Sequence, residues 1–156
     1  MYWLRSGSGF SVVNMANLTV ATHETSHSVH NVHNNKCGPV SGYKYLLDGT
    51  VHTTDLTTGA TALYSTVSQY YPLPAGSRYN AYIAATPFSN GNDARILLDE
   101  LTAYSTAARL SINMMSTPEY GNFTVHQNAD LAGTADFMLF VQSYIKAARL
   151  GDANTY

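Results

Sequence analysis

The chain has 156 residues, 45% of them hydrophobic, which is enough for one domain with an apolar core. Its net charge of -2 and the absence of basic runs argue against a nucleic-acid partner. No apolar stretch is long enough to span a membrane, and residues 1–7 lack the apolar region of a secretory signal. Charged residues make up only 12%, with Tyr, Ser, Thr and Asn in their place, a composition common in exported proteins. We therefore expect a secreted or extracytoplasmic protein without a nucleic-acid or membrane partner.

The first predicted element is a long helix over residues 10–33. Apolar residues recur at helical spacing and include Ala16 and Val20 on the side that also carries the histidines further along. The Gly-Pro pair at residues 38–39 is expected to end this helix.

Four further elements are predicted after the first helix. They are a β-hairpin of residues 43–47 and 51–53 around Asp48-Gly49, a short helix over 60–71, and two long helices over 93–113 and 130–150. The segment through residue 92, rich in Tyr, Pro and Asn, is predicted to be a loop. The expected fold class is α+β, mainly helical, with one small β-hairpin.

The segment from His23 to His27 reads H-E-x-x-H. Residues four apart share a helix face, so His23 and His27 can bind one metal ion with Glu24 beside it. On an ideal helix His27 lies about 40° from His23, and His30 lies about 20° to the other side, so all three extend the buried face. One buried histidine is usually a hydrogen-bonded core residue, but two with a glutamate between them favour a metal site. Imidazole and carboxylate donors favour zinc (Zn2+).

A third ligand is needed, and Glu100 is the first candidate. On an ideal helix Glu100 lies about 40° from Ile96, inside the apolar arc, whereas Asp99 lies at about 300°, outside it. A buried carboxylate is costly unless it is paired or bound to a metal. Glu100 is therefore expected to bind the metal or to pair with Arg95 or Arg109.

The H-E-x-x-H motif resembles that of the zincin metallopeptidases. The resemblance implies that His23 and His27 are zinc ligands and that Glu24 is the general base for water attacking a peptide carbonyl. Glu100 on a later helix resembles the gluzincin arrangement, in which a downstream glutamate completes the site. The implied protein is a single zincin-like catalytic domain over residues 1–156, with a peptide or protein substrate. Only about ten residues precede the motif helix, so the expected form is a fragment, a processed form or a reduced variant lacking the usual upstream sheet.

His33 is the rival third ligand, because His23, His27 and His33 have the spacing of the metzincin pattern H-E-x-x-H-x-x-G-x-x-H. That pattern is accompanied by a methionine turn beneath the metal, for which residues 112–116 are the candidate. His30 replaces the glycine that allows a sharp turn, and on an unbroken helix His33 points at about 280°, away from the zinc face. These departures favour Glu100.

Three functional hypotheses follow. The first is a zinc-dependent hydrolase, most directly a metallopeptidase. The second is a non-catalytic zinc-stabilised binding domain, in which the Tyr-rich segment of residues 64–82 forms a peptide or glycan surface. The third is a metal-free helical domain with core histidines. A closed four-ligand site that includes His30 would favour the second hypothesis, and three ligands would favour the first.

Overall fold

The structure is a computed structural model of the chain. It describes residues 15–36, 43–47, 50–54, 68–74, 76–84, 94–115 and 124–151. These residues are mainly helical, with two short strands. Each helix within these ranges falls short of the combined length and hydrophobicity that a membrane span requires. The secreted location and the lack of a nucleic-acid partner stay predictions.

Three long helices dominate the described residues: α1 (Met15–Lys36), α3 (Ala94–Met114) and α4 (Thr124–Gly151). Between them lies a shorter element, α2, formed by the α-helical turn Ser77–Tyr79 and the π-helical turn Asn80–Ala84. The bounds of α3 lie within one residue of the prediction. Residues 10–14 of the predicted first helix lie outside the described residues.

The helix α4 begins at Thr124, six residues before its predicted start at Asp130. Residues 124–129 contain neither glycine nor proline, so nothing in the sequence prevents the helix from reaching back to Thr124.

The prediction of a loop through residue 92 was wrong for residues 77–84, which form α2. Tyr79, Tyr82 and Ile83 follow the i, i+3, i+4 spacing of a buried helix face, which the surrounding Pro and Asn residues concealed. Ile83 is buried in the core, and Tyr79 and Tyr82 pack against that core. Of the predicted short helix over 60–71, residues 60–67 lie outside the described residues, and Ser68–Tyr70 forms a 3-10 turn.

The strands β1 (Tyr43–Leu47) and β2 (Thr50–Thr54) form an antiparallel pair with Leu47 opposite Thr50 and Tyr43 opposite Thr54. They lie where the sequence predicts them, separated by two residues. The strand β1 lies against both α1 and α3. This ribbon therefore covers part of the two helices that carry the candidate site.

The helix α3 is central, with α1 on one side and α4 on the other. The α3–α4 side is apolar, since Leu97 on α3 and Phe137 and Phe140 on α4 are fully buried. Aromatic residues from α2 and the preceding segment complete this core, namely Tyr70, Tyr71, Tyr79 and Tyr82. These rings bury apolar area in the main core, which holds α2 beside α3.

The α1–α3 side is polar, and here the prediction for Val20 was wrong. Val20 is 54% exposed, whereas the buried side chains among residues 18–33 of α1 are Thr19, Ser26 and His30. On an ideal helix the mean direction of these three side chains lies about 40° from that of His23, on the side opposite Val20. Val20 therefore points about 100° away from the middle of the buried face. The helix is thus turned towards His30, and polar side chains occupy its buried face.

Gly133 on α4 gives room to the ring of Tyr104 on α3. An alanine Cβ at Gly133 would lie 2.8 Å from Tyr104 Cγ and nearer still to two other ring atoms. The Tyr104 ring is confined, because it stacks on Phe137 at 5.4 Å and meets the His23 ring edge-on at 4.5 Å. The α3–α4 contact therefore depends on a residue without a side chain at this position.

We expect Gly133→Ala to lower the free energy of unfolding by about 1–2 kcal/mol, measured by chemical denaturation. Overpacking costs about 1–3 kcal/mol, which exceeds the gain of about 1 kcal/mol from replacing glycine within a helix. The matched control is Gly76→Ala, because nothing lies within 4 Å of a Cβ at Gly76 and its φ of -95° suits alanine. That control is expected to lower stability by less than about 1 kcal/mol, because its only cost is that alanine is less favourable than glycine at a helix N-cap. A Gly133→Ala variant as stable as the wild type would contradict the confinement of Tyr104.

Candidate metal centre

Three sequence-predicted residues come together between α1 and α3: His23, His27 and Glu100. The Nε2 atoms of His23 and His27 lie 3.0 Å apart. Glu100 Oε2 lies 3.5 Å from His23 Nε2, and Glu100 Oε1 lies 3.8 Å from His27 Nε2. One ligand atom from each of the three residues falls within 4.8 Å of the others. The helix periodicity of α1 brings the two imidazoles together, and the packing of α3 adds the carboxylate.

Glu100 Oε2 is buried and has no hydrogen-bond partner. The other oxygen, Oε1, accepts a hydrogen bond of 3.2 Å from the hydroxyl of Tyr82. Tyr82 lies in the π-helical turn of α2, a kind of irregularity that occurs frequently at functional sites. Arg109, one of the two arginines considered as partners of Glu100, is exposed, and the Arg95 side chain lies outside the described part of the chain. A buried, unpartnered carboxylate oxygen is costly, and a cation would satisfy it.

The three ligand atoms have the spacing of a small cation site. Zinc bonds of 2.0–2.1 Å to nitrogen and oxygen imply about 3.3 Å between neighbouring ligand atoms of a tetrahedron. The two Nε2 atoms are 3.0 Å apart, His23 Nε2 is 3.5 Å from Glu100 Oε2, and His27 Nε2 is 3.8 Å from Glu100 Oε1. These separations lie close to that value, although the last two are measured to different oxygens of one carboxylate. His23, His27 and Glu100 therefore fit the donor chemistry and the size of a zinc ion, and three protein donors leave one tetrahedral position open.

His23 has a second neighbour that orients its ring. The ring of Tyr104 on α3 meets the His23 ring at an interplanar angle of 72°. Tyr104 in turn stacks on Phe137 and lies beneath the guanidinium of Arg78, whose Cζ is 5.1 Å from the ring centroid. Arg78 also pairs with Asp136 on α4 at 3.2 Å. The position of His23 is thus linked to the aromatic core.

Asp99 also contacts the site, which the sequence did not predict. His27 Nδ1 donates a hydrogen bond of 2.7 Å to Asp99 Oδ2, and His30 Nδ1 donates to Asp99 Oδ1. The expectation that Asp99 lies outside the buried arc was wrong, because α3 is covered on two sides. With Ile96 at zero on an ideal helix, the buried Thr102 of α3 lies at about 240° and the buried Leu97 at about 100°. The buried arc between them passes through zero and includes the direction of Asp99.

The two groups of this ion pair have opposite pKa shifts. The hydrogen bond to Asp99 raises the pKa of His27; burial opposes this, while the negative charges of Asp99, Glu100 and Glu24 add to it. Burial alone would raise the pKa of the Asp99 carboxyl, but the hydrogen bonds and charges of His27 and His30 outweigh burial and hold it well below its usual range. Asp99 is therefore an ionised acceptor across the neutral pH range.

Glu24 lies on α1 next to the cluster and is exposed. On an ideal helix it lies about 60° from His27, on the solvent side of the histidine pair. The pKa of His27 is raised chiefly by its hydrogen bond to Asp99, and the negative charge of Glu24 adds the smallest contribution. Glu24 therefore lies on the solvent side of the candidate site, and its role as general base stays a prediction.

His33 does not join the convergent ligand atoms, and α1 continues without interruption past His30 to Lys36. The left-handed turn of the metzincin pattern is thus not formed. Met114 is the last residue of α3, about 21 Å along that helix from Glu100, and Met115 is 59% exposed. The arrangement of the described residues therefore favours Glu100 over His33 as the third ligand.

Comparison of the chain with protein-family models, with curated proteins and with solved structures gave no match.

Proposed function

We propose that the protein is a zinc-dependent hydrolase, most directly a metallopeptidase, in which His23, His27 and Glu100 hold zinc and Glu24 is the general base. The observation that carries the proposal is the convergence of two imidazole Nε2 atoms on the carboxylate of Glu100, whose Oε2 is buried and has no hydrogen-bond partner. The H-E-x-x-H sequence on α1 adds the resemblance to zincins, from which the peptide substrate and the zincin-like fold are proposed.

The chain's own residues divide the chemistry between them. Zinc, when bound, would polarise a carbonyl and increase the acidity of a water molecule. Glu24 would accept the proton of the attacking water on a carboxylate oxygen and return it to the leaving nitrogen. Tyr82 holds Glu100 Oε1, so that Oε2 stays directed at His23. The buried neighbours of the cluster keep its ligands in place before substrate arrives.

The alternative, a non-catalytic zinc-stabilised binding domain, has less support. His30 bonds to Asp99 and is not among the three convergent ligands, so the described residues form no closed four-ligand site. The four tyrosines of the Tyr-rich segment that the structure describes are half-buried against the core, which leaves little exposed aromatic surface there.

The proposal is tested on the full chain purified without chelator. We expect zinc in a one-to-one ratio by elemental analysis and a higher Tm with zinc than after its removal, because binding to the folded state stabilises it. We expect hydrolysis of a quenched-fluorescence peptide library that stops with chelator and returns with zinc. Zinc binding without hydrolysis of any peptide would support the binding-domain alternative, and no zinc binding would support the metal-free domain.

A further inference from the structure

Asp99 is a carboxylate shared by two histidines of the neighbouring helix. Its Oδ2 accepts from His27 Nδ1 at 2.7 Å, and its Oδ1 accepts from His30 Nδ1. An ionised carboxylate only accepts hydrogen bonds, so both Nδ1 atoms must carry a proton. One residue of α3 therefore fixes the ring nitrogens of two residues of α1.

The protonation of Nδ1 determines which atom of His27 can bind a cation. A neutral imidazole with its proton on Nδ1 has its lone pair on Nε2. His27 Nε2 is the atom 3.0 Å from His23 Nε2 and 3.8 Å from Glu100 Oε1. The ring of His27 thus lies between two adjacent carboxylates of α3, with Asp99 at one nitrogen and Glu100 near the other.

His30 holds the carboxylate of Asp99 from its second oxygen. His30 is only 2% exposed, and its Nε2 lies 3.4 Å from Thr102 Oγ1 on α3. A buried ring with partners at both nitrogens cannot turn without losing a hydrogen bond. The carboxyl plane of Asp99 is consequently fixed at both oxygens.

We propose that Asp99, held by His30, is a positioning residue that fixes the tautomer and ring orientation of His27, so that Nε2 faces the metal centre. The inference rests on the proposed zinc site. Outer partners of this kind orient metal-binding histidines, and their loss typically lowers metal affinity about 10- to 100-fold. Asp99 thereby takes part in zinc binding without contacting the ion.

Asp99→Asn is the discriminating variant, because an amide has one accepting oxygen and one donating NH2 group. It cannot accept from both histidines, so His27 or His30 must rotate or move its proton. We expect zinc affinity, measured by competition with a chromogenic chelator, to fall about 10- to 100-fold. The control is Asp130→Asn, because the asparagine oxygen can still accept the 3.2 Å hydrogen bond that Ser111 Oγ donates to Asp130, and Ser111 lies about 16 Å along α3 from Glu100. Asp130→Asn is expected to bind zinc as the wild type does.

The second measurement uses metal-free protein and needs neither zinc nor activity. Long-range 15N–1H correlation spectra, recorded where His27 is neutral, are expected to show the proton on Nδ1 in the wild type and in Asp130→Asn. Asp99→Asn is expected to show a mixture or the opposite tautomer. A wild-type His27 with its proton on Nε2, or an Asp99→Asn variant with unchanged zinc affinity, would overturn the positioning role. A wild type with the expected tautomer but no affinity for zinc would instead overturn the proposed function.

Discussion

We expect the Glu24→Gln variant to lose about 100- to 10,000-fold in kcat for peptide hydrolysis and to keep its zinc. Glutamine has the shape of glutamate, but its amide cannot take up the proton of an attacking water. Glu24 is exposed, so the substitution leaves the packing between α1 and α3 unchanged. The measurement is kcat and zinc content on the same preparation.

The conservative control for this prediction is Glu24→Asp. It keeps a carboxylate but withdraws it by one methylene, so we expect activity between those of the wild type and Glu24→Gln. Full activity of Glu24→Gln with normal zinc content would exclude Glu24 as the base. Loss of zinc from Glu24→Gln would instead indicate that Glu24 binds the metal.

The second large effect is expected at Glu100. Glu100→Gln should weaken zinc binding more than about 100-fold, which exceeds the loss of an outer partner, because a charged ligand is removed. The amide oxygen can still accept from Tyr82, and the amide NH2 replaces the unpartnered Oε2 where it faces His23 Nε2. The metal-free variant is therefore expected to be as stable as the metal-free wild type.

Two comparisons interpret the Glu100→Gln result. Glu24→Gln makes the same chemical change three residues before His27 and is expected to keep zinc. His33→Ala tests the metzincin alternative and is expected to bind zinc within about threefold of the wild type, since His33 is not among the convergent ligand atoms. The opposite result, zinc lost from His33→Ala and kept by Glu100→Gln, would make His33 the third ligand.

The convergence of His23, His27 and Glu100 could be predicted because it depends on helix periodicity. Each lies on a face that a 100° projection locates, and the cost of burying a lone carboxylate singles out Glu100. The projection failed for Asp99, because it assumes one buried face per helix and α3 has two. The clearest signal for Asp99 was its place beside a buried glutamate, on a helix expected to face several histidines.

The error at Val20 has a related physical cause. The orientation of α1 about its own axis follows the hydrogen bonds from His27 and His30 to Asp99, and not the burial of Val20. Hydrophobic periodicity cannot predict the orientation of a helix whose buried face is polar. The error at α2 has a different cause, because its tyrosines follow the spacing of a buried helix face and belong to the aromatic core, whereas the local composition is typical of a loop.

The polar contact between α1 and α3 has a consequence for how the fold responds to its surroundings. The aromatic core between α3 and α4 contributes apolar burial that does not depend on protonation or metal. The first helix is held largely by imidazoles and carboxylates, which respond to both. On the proposed function, protons and zinc ions would compete for the same imidazole nitrogens, so the packing of α1 against α3 would depend on pH and on the zinc concentration. The aromatic core between α3 and α4 would depend on neither.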